Sequence, residues 1–195
     1  MLASITPLGE RARGSRWGLT VGFFIAGSTL AGAALGAVAG GLGEIVWGTN
    51  DGINLRGGLL AAALAAGLAL DLGGRLPTLR RQVNEDWLRE YRGWVYGLGF
   101  GGQLGVGVAT IVTTSLVYVT LLAAFLSADA GIGTAIVGLF GAARGVTLLA
   151  GARAKSPSDL TRLHALLDAW RPRVRSSALV AQGLLALALV IGLGA

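Results

Sequence analysis

Residues 17–43 read WGLTVGFFIAGSTLAGAALGAVAGGLG, a stretch without a single charged side chain. As a helix rising about 1.5 Å per residue, it is long enough to cross the roughly 30 Å hydrocarbon core of a bilayer. Three basic residues (Arg11, Arg13 and Arg16) come directly before it. A cleavable signal peptide is the competing interpretation, but its apolar core is typically only about 7–15 residues long. We therefore predict an uncleaved transmembrane helix.

Further apolar stretches follow this one, and together they predict five spans. The four additional stretches are residues 57–74, 94–126, 131–152 and 176–195. The composition agrees, because 53% of the chain is hydrophobic and only 13% is charged, about half of the charged share of a soluble domain. The predicted fold class is all-α, a polytopic transmembrane helical bundle that forms one domain over residues 1–195.

The stretch 94–126 is too long for one straight crossing and too short for two crossings with a turn between them. We expect one tilted, bent or partly unwound helix, with a re-entrant element at its glycine-rich start as the alternative. Interior glycines weaken a helix, and they are densest early in this stretch. The sequence therefore predicts non-helical or sharply kinked backbone between Gly99 and Gly107, next to a polar cavity.

Basic residues occupy alternate loops. Fourteen of the sixteen Lys and Arg residues lie in the N-terminal tail, in residues 75–93 and in residues 153–175, whereas the loops 44–56 and 127–130 contain only Arg56. Loops rich in Lys and Arg remain on the cytoplasmic side. The pattern predicts an N-in/C-out multi-pass protein of a bacterial inner (plasma) membrane. The net charge of +6 is thereby explained by orientation, so we expect the lipid bilayer, and not nucleic acid, as a partner.

Two of the basic loops have amphipathic helical patterns. Residues 78–93 read TLRRQVNEDWLREYRG, and residues 156–170 read SPSDLTRLHALLDAW. In the second, Ser156 is a natural N-cap and Asp159 is its capping-box partner. Basic flanks and an apolar face are typical of helices that lie on a membrane surface. We predict two amphipathic helices on the cytoplasmic side.

An internal similarity relates the first and third spans. Trp17 is followed by Gly22 and Phe23, and Trp94 is followed at the same spacing by Gly99 and Phe100. Two spans per unit would give both units the same orientation. This is the basis of a hypothesis that residues 17–93 and 94–170 form a parallel repeat.

Glycines recur every four residues in two spans. The two series are Gly32, Gly36 and Gly40 in the first span and Gly97, Gly101 and Gly105 in the third. This spacing places glycines on one helix face, where two helix backbones can approach closely. We predict that these glycines pack helices within the chain. A homodimer contact and a glycine-lined pathway remain as alternatives.

Two ionisable residues fall inside predicted spans, Asp71 in the second and Arg144 in the fourth. A charge at membrane depth requires a partner, so we predict an ion pair between them. Polar residues of the first and third spans are candidates for a substrate pathway: Ser28, Thr29, Gln103, Thr110, Thr113 and Thr114. The alternative for the hydroxyl groups is a hydrogen bond to the backbone of their own helix.

The chain offers little material for catalysis. It contains no cysteine and one histidine, His164, so a disulfide, a thiol relay and a multi-histidine metal site are excluded within one chain. His164 lies four residues before Asp168, a spacing typical of a helical pair. We predict that the protein is not an enzyme and has neither a cofactor nor a metal site.

Two segments resemble a known superfamily. GLTVGFFIAGSTLAGAALGAVAGG (residues 18–41) and GWVYGLGFGGQLGVGVATIVTTSLVYVTLLAAFL (residues 93–126) are similar to the gapped helices of lysine and sulfite exporters and of the cytochrome-c-biogenesis or thiol-electron carriers. The resemblance implies a compact bundle that moves a small solute or reducing equivalents. The chain departs from it by lacking the paired cysteines and by having five spans, too few for two inverted three-helix halves. Thiol electron transfer would then need cysteines from a partner.

These observations lead to two functional hypotheses. The first is a small transporter-like protein that moves an unidentified small solute past the polar residues of the first and third spans. The alternative is a non-catalytic accessory or assembly subunit of a larger membrane complex, with the glycine series as docking faces or as the contact of a homo-oligomer. A hydrated cavity at the level of Gly101–Thr114 would distinguish the two.

Overall fold

The computed structural model describes residues 5–48, 52–74, 76, 87–107, 112 and 114–194. These residues form α-helices and one 3-10 helix. In chain order, the elements are α1 (Pro7–Ala12), α2 (Trp17–Trp47), α3 (Ile53–Gly73), α4 (Trp87–Glu90), α5 (Gly93–Val106), α6 (Leu116–Leu126), α7 (Ala130–Val146), the 3-10 helix Thr147–Arg153 and α8 (Pro157–Gly194). The predicted helical class is confirmed for the described residues.

Four helical stretches of the described residues are long and apolar enough to cross a membrane. They are Trp17–Trp47, Ile53–Gly73, Ala130–Arg153 and Pro157–Leu193. Each overlaps one predicted span. The fifth predicted span, residues 94–126, is divided between α5 and the shorter apolar helix α6.

The centre of the fold is a bundle of α2, α5 and α7. Carbonyl oxygens of successive α2 turns face successive α5 glycines, so the two helices run in the same direction: Thr20 faces Gly97, Phe24 faces Gly101 and Ser28 faces Gly105. Against α7 the order is reversed, so α7 is antiparallel to α2: Gly32 meets Val137, Gly36 meets Gly133 and Gly40 meets Asp129. α2 is therefore the helix around which α5 and α7 assemble.

Both predicted glycine series lie in these contacts. A Cβ atom added to Gly97 would stand 2.6 Å from the carbonyl oxygen of Thr20, and one added to Gly32 would stand 2.6 Å from that of Val137. At Gly36, Gly40, Gly101 and Gly105 the added carbon would collide still more closely with a facing backbone carbonyl. The missing side chains thus allow direct backbone packing between helices of one chain.

The third predicted span is interrupted, but not where the sequence predicts. Residues 99–106 are helical, and α5 ends at Val106. The next residue, Gly107, has a φ of +76°, a backbone conformation that favours glycine. The expected break between Gly99 and Gly107 is therefore wrong in position. Gly101 and Gly105 are held in helical geometry because their faces pack against α2.

α3 and the second half of α8 form an antiparallel pair beside this bundle. Gly57 near the start of α3 contacts Leu193 near the end of α8, and Gly67 contacts Gln182. α3 also packs against α6. Much of α8 is exposed, including Leu184, Val190 and Ile191.

α8 differs from its prediction because it is one continuous helix. The sequence predicts a surface helix over residues 156–170 and a separate span over 176–195, yet α8 runs through both, with Pro172 inside it. The predicted cap is confirmed: the Asp159 amide donates to the Ser156 hydroxyl at 3.2 Å, and the Ser156 amide donates to the Asp159 carboxylate at 3.0 Å. Most of the other predicted amphipathic helix, residues 78–93, lies outside the described residues, which include α4 and the start of α5.

A small hydrophobic core closes the end of the bundle where α2 and α5 begin. Ile5, just before α1, is buried there together with Phe24, Tyr96, Phe100 and Leu148. The segment that precedes the first span is therefore packed against the helices, where the sequence predicts only a basic tail.

Candidate functional site

Arg144 of α7 lies at the end of α5, where the interruption begins. Its Nη1 donates a hydrogen bond to the carbonyl oxygen of Leu104 at 2.8 Å, and its guanidinium carbon lies 5.6 Å from the centre of the Phe140 ring. The last carbonyls of a helix lack intrahelical partners and carry partial negative charge. The Leu104 carbonyl also accepts from the Gly107 amide at 3.1 Å, so the guanidinium adds a second hydrogen bond to this carbonyl and complements the dipole of α5.

Asp71 of α3 lies at the other side of the interruption, where α6 begins. Its two carboxylate oxygens accept from the Ser115 amide at 2.9 and 3.1 Å, and one of them also accepts from the Ser115 hydroxyl at 2.7 Å. Asp71 is only 8% exposed. A carboxylate is favourable at a helix N-terminus, where free amides carry partial positive charge.

The two charges of the predicted pair therefore face the two sides of the interruption, Arg144 at the end of α5 and Asp71 at the beginning of α6, and they do not form the predicted ion pair with each other. Among the described residues, ion pairs join Arg13 to Glu10 and Arg171 to Asp168, not Asp71 to Arg144. The physical reason is their position: Asp71 faces the first turn of α6, while Arg144 faces the last turn of α5.

Gln182 and Arg175 of α8 extend the cluster around Asp71. The Gln182 Nε2 donates to the Leu64 carbonyl at 2.9 Å and to the Ser115 hydroxyl at 3.1 Å. The Arg175 Nη2 donates to the Asp71 carbonyl at 2.8 Å. Gln182 is 1% exposed, and its Oε1 accepts no hydrogen bond from the described residues. This polar cluster joins α3, α6 and α8.

A second buried acid, Glu10 of α1, lies at the starts of α2 and α5. Its carboxylate accepts from the Thr20 hydroxyl at 2.7 Å, from the Tyr96 hydroxyl at 2.5 Å and from Arg13 at 2.5 Å. Burial acts to lower the pKa of Arg13, but the hydrogen bonds to Glu10 and Tyr96 outweigh it, so that this pKa is raised. Glu10 therefore holds α1 against two helices of the bundle.

Three of the predicted pathway residues make hydrogen bonds with backbone groups in the part of the chain that the structure describes. Ser28 is fully buried, and its hydroxyl donates to the Gly141 carbonyl at 2.6 Å. Thr29 donates to the Ile25 carbonyl at 2.8 Å, and Thr114 accepts from the Leu116 amide at 3.0 Å. Gln103 is half-buried. The last two candidates, Thr110 and Thr113, lie outside the described residues.

Sequence reasoning missed four members of these clusters: Glu10, Ser115, Arg175 and Gln182. Glu10 is the single acid in a basic tail, and the local signal that could have found it is Thr6-Pro7, a cap followed by proline at the first helical position. Thr6 does accept from the Gly9 amide at 3.2 Å. Ser115, Arg175 and Gln182 carry no comparable local signal, because their role depends on which helices become neighbours.

The fold and its clusters define a class: a helical protein with several helices able to cross a membrane, packed through glycines, whose buried charges hold helix ends. Curated relatives give the family. The chain is 31% identical over 196 residues to the methylamine utilization protein MauF of Paracoccus denitrificans, covering 97% of this chain and 68% of the relative. The chain belongs to the MauF family.

Two other relatives carry the same name. MauF of Methylophilus methylotrophus is 30% identical over 197 residues, with 96% of this chain and 65% of the relative covered. MauF of Paracoccus versutus is 33% identical over 120 residues, which cover 60% of this chain and 43% of the relative. The chain thus spans about two thirds of the length of the first two relatives. No family model matches the chain, and no solved structure matches it.

These relatives correct the resemblance drawn from the first and third spans. The relatives across nearly the whole chain are MauF proteins, and not lysine or sulfite exporters or cytochrome-c-biogenesis proteins. The resemblance rested on glycine, serine and threonine in apolar helices. Such residues occur wherever membrane helices pack closely, so they carry little family information.

Proposed function

We propose that this chain is a non-catalytic accessory protein of the inner membrane that is required for methylamine utilization. The observation that carries the proposal is its 31% identity, over 97% of its length, to a protein named for that process. The proposed partner is another protein of the methylamine-utilization system.

The contacts of the polar residues support this proposal over solute transport. Ser28, the most deeply buried pathway candidate, donates its hydroxyl proton to α7 at the contact of α2, α5 and α7. Backbone of the facing helix occupies the space beside the neighbouring glycines Gly105 and Gly141. A conducting pathway needs polar groups that line a wet cavity, whereas the Ser28 hydroxyl joins two helices and the Thr29 hydroxyl bonds the backbone of its own helix.

We further propose five spans with an N-in/C-out orientation, in which α5 and α6 together make the third crossing. The helix directions support this arrangement. α5 and α6 follow α2 in its direction, α7 opposes them, and α3 is antiparallel to both α6 and the second half of α8. Successive crossings therefore alternate in direction, and the basic loops fall at one end.

Growth tests the proposed function. Deleting the gene from a bacterium that uses methylamine should abolish growth on methylamine as the sole nitrogen source and leave growth on ammonium unchanged. A plasmid copy should restore growth, and so should a copy with an exposed, conservative change such as Asp168→Asn, which controls for expression. Undiminished growth of the deletion strain on methylamine would refute the proposal.

A further inference from the structure

A cavity of about 480 Å³ lies between the beginnings of α2 and α5. We infer that it binds the phosphate group of an anionic membrane phospholipid. Its lining includes three arginines (Arg13, Arg16 and Arg92), one carboxylate (Glu90) and the apolar side chains of Leu19 and Trp94. The inference goes beyond the proposed function, since it assigns a lipid site that methylamine utilization does not by itself require.

The residues that the structure describes neutralise only part of the positive charge of this cavity. Arg13 is paired with Glu10, but Arg16 and Arg92 are exposed and form no ion pair with the described residues. Glu90 is the one acid among the lining residues that the structure describes. A phosphate group would complete the charge balance with strong, charge-assisted hydrogen bonds from the guanidinium groups.

Arg16 and Arg92 lie where a cation is electrostatically unfavourable. Arg16 is the N-cap of α2 and Arg92 is the N-cap of α5, and neither helix has a side-chain hydrogen bond at its cap. Because α2 and α5 are parallel, the positive ends of both helix dipoles meet at this cavity. Repulsion between these ends and the arginines is relieved when an anion lies between them.

Apolar side chains beside the cavity select a lipid over a small anion. Leu19 is 48% exposed, Trp94 is 43% exposed and Phe23 is 37% exposed, although all three are large and hydrophobic. Phe23 and Trp94 contact each other with ring centres 5.9 Å apart. Leu19 and Trp94 lie on the first turns of α2 and α5, next to the arginines, and Phe23 lies one turn further along α2. An occupant with a phosphate head and acyl chains would cover both the charged and the apolar surface.

The experiment measures lipid binding to the purified full chain in detergent. Phosphatidylglycerol is titrated against the wild type, against the double variant Arg16→Gln, Arg92→Gln, and against a matched control, Arg153→Gln, Arg162→Gln, which removes two exposed arginines elsewhere. Native mass spectrometry counts bound lipid, and the melting temperature reports binding to the folded state. The wild type and the control should bind alike, and the double variant should bind about tenfold more weakly or worse.

Further measurements distinguish the possible sources of the phosphate group and control for misfolding of the double variant. Phosphatidylcholine and inorganic phosphate should each raise the melting temperature less than phosphatidylglycerol does. Arg16→Lys, Arg92→Lys retains the charges and should keep most of the binding, which separates loss of charge from loss of folding. Equal binding by the double Gln variant and the control would overturn the inference. So would equal protection by inorganic phosphate or by phosphatidylcholine.

Discussion

Arg144 and Asp71 show how charged side chains can bind backbone groups on the two sides of an interruption in an apolar helix. In a membrane, free backbone groups must find partners within the protein or in a water-filled cavity. Arg144 adds a hydrogen bond to the Leu104 carbonyl at the end of α5, and Asp71 accepts from the Ser115 amide at the beginning of α6. The charge signs match the two helix ends at the interruption, negative at the end of α5 and positive at the beginning of α6. The pair of charges therefore stabilises one broken helix.

This arrangement predicts the behaviour of charge-removing variants. Asp71→Asn should lower the stability of the folded protein by about 1–3 kcal/mol, because it weakens the hydrogen bonds that the buried carboxylate accepts from the amide and hydroxyl of Ser115. Asp168→Asn, at an ion pair whose carboxylate is 68% exposed, should have little effect. Thermal unfolding in detergent measures both.

The double variant then tests whether the two charges act separately. If Asp71 and Arg144 hold different helix ends, the effects of Asp71→Asn and Arg144→Gln should add in a double-mutant cycle. A strong coupling, in which the second substitution costs almost nothing after the first, would instead indicate the direct ion pair that the sequence predicts.

At the scale of the helices, glycine position matters more than glycine content. Gly101 and Gly105 of α5 face the backbone of α2. Gly22, which lies in α2 itself, has no neighbouring atom within 4 Å of an added Cβ. Gly101→Ala should lower stability by roughly 1–3 kcal/mol because it forces two backbones apart. Gly22→Ala should be neutral or slightly stabilising, because alanine favours a helix. Melting in detergent distinguishes them, and equal effects would contradict the packing of α5 on α2.

The sequence predicts most helices of this fold, because apolar length and basic loops are local signals. The positions of α2, α3 and α7 follow from them, as does the existence of an interruption between residues 94 and 126. The position of the interruption does not, because the same glycines that weaken an isolated helix also permit packing on α2, and this contact keeps residues 99–106 helical. The partners of Asp71 and Arg144 depend likewise on tertiary neighbours, which spacing along the chain does not encode.

At the scale of the whole molecule, the five-span arrangement remains a prediction that labelling can test. The chain has no cysteine, so single cysteines report their own position. Ala128→Cys, in the turn between α6 and α7, should react with a membrane-impermeant reagent in intact cells. Ser158→Cys, at the start of α8, should react only after the membrane is opened. Labelling of Ser158→Cys from outside would overturn the orientation.

The parallel repeat over residues 17–93 and 94–170 also remains a hypothesis. α2 and α5, the helices that would begin the two units, run in the same direction, which is what a parallel repeat requires. The two helices also differ, because α2 is continuous over 31 residues while α5 ends after 14. A duplication would therefore have been followed by divergence of the second unit.

In the proposed function, the protein supports methylamine utilization without carrying the solute across the membrane. Radiolabelled methylamine tests it in the deletion strain, with uptake measured in intact cells and conversion measured in intact and in permeabilised cells. If the protein has an accessory role, the deletion strain should take up methylamine at the rate of the parent strain. It should convert no methylamine in intact or in permeabilised cells. Lost uptake together with normal conversion in permeabilised cells would contradict the claim and identify a transporter.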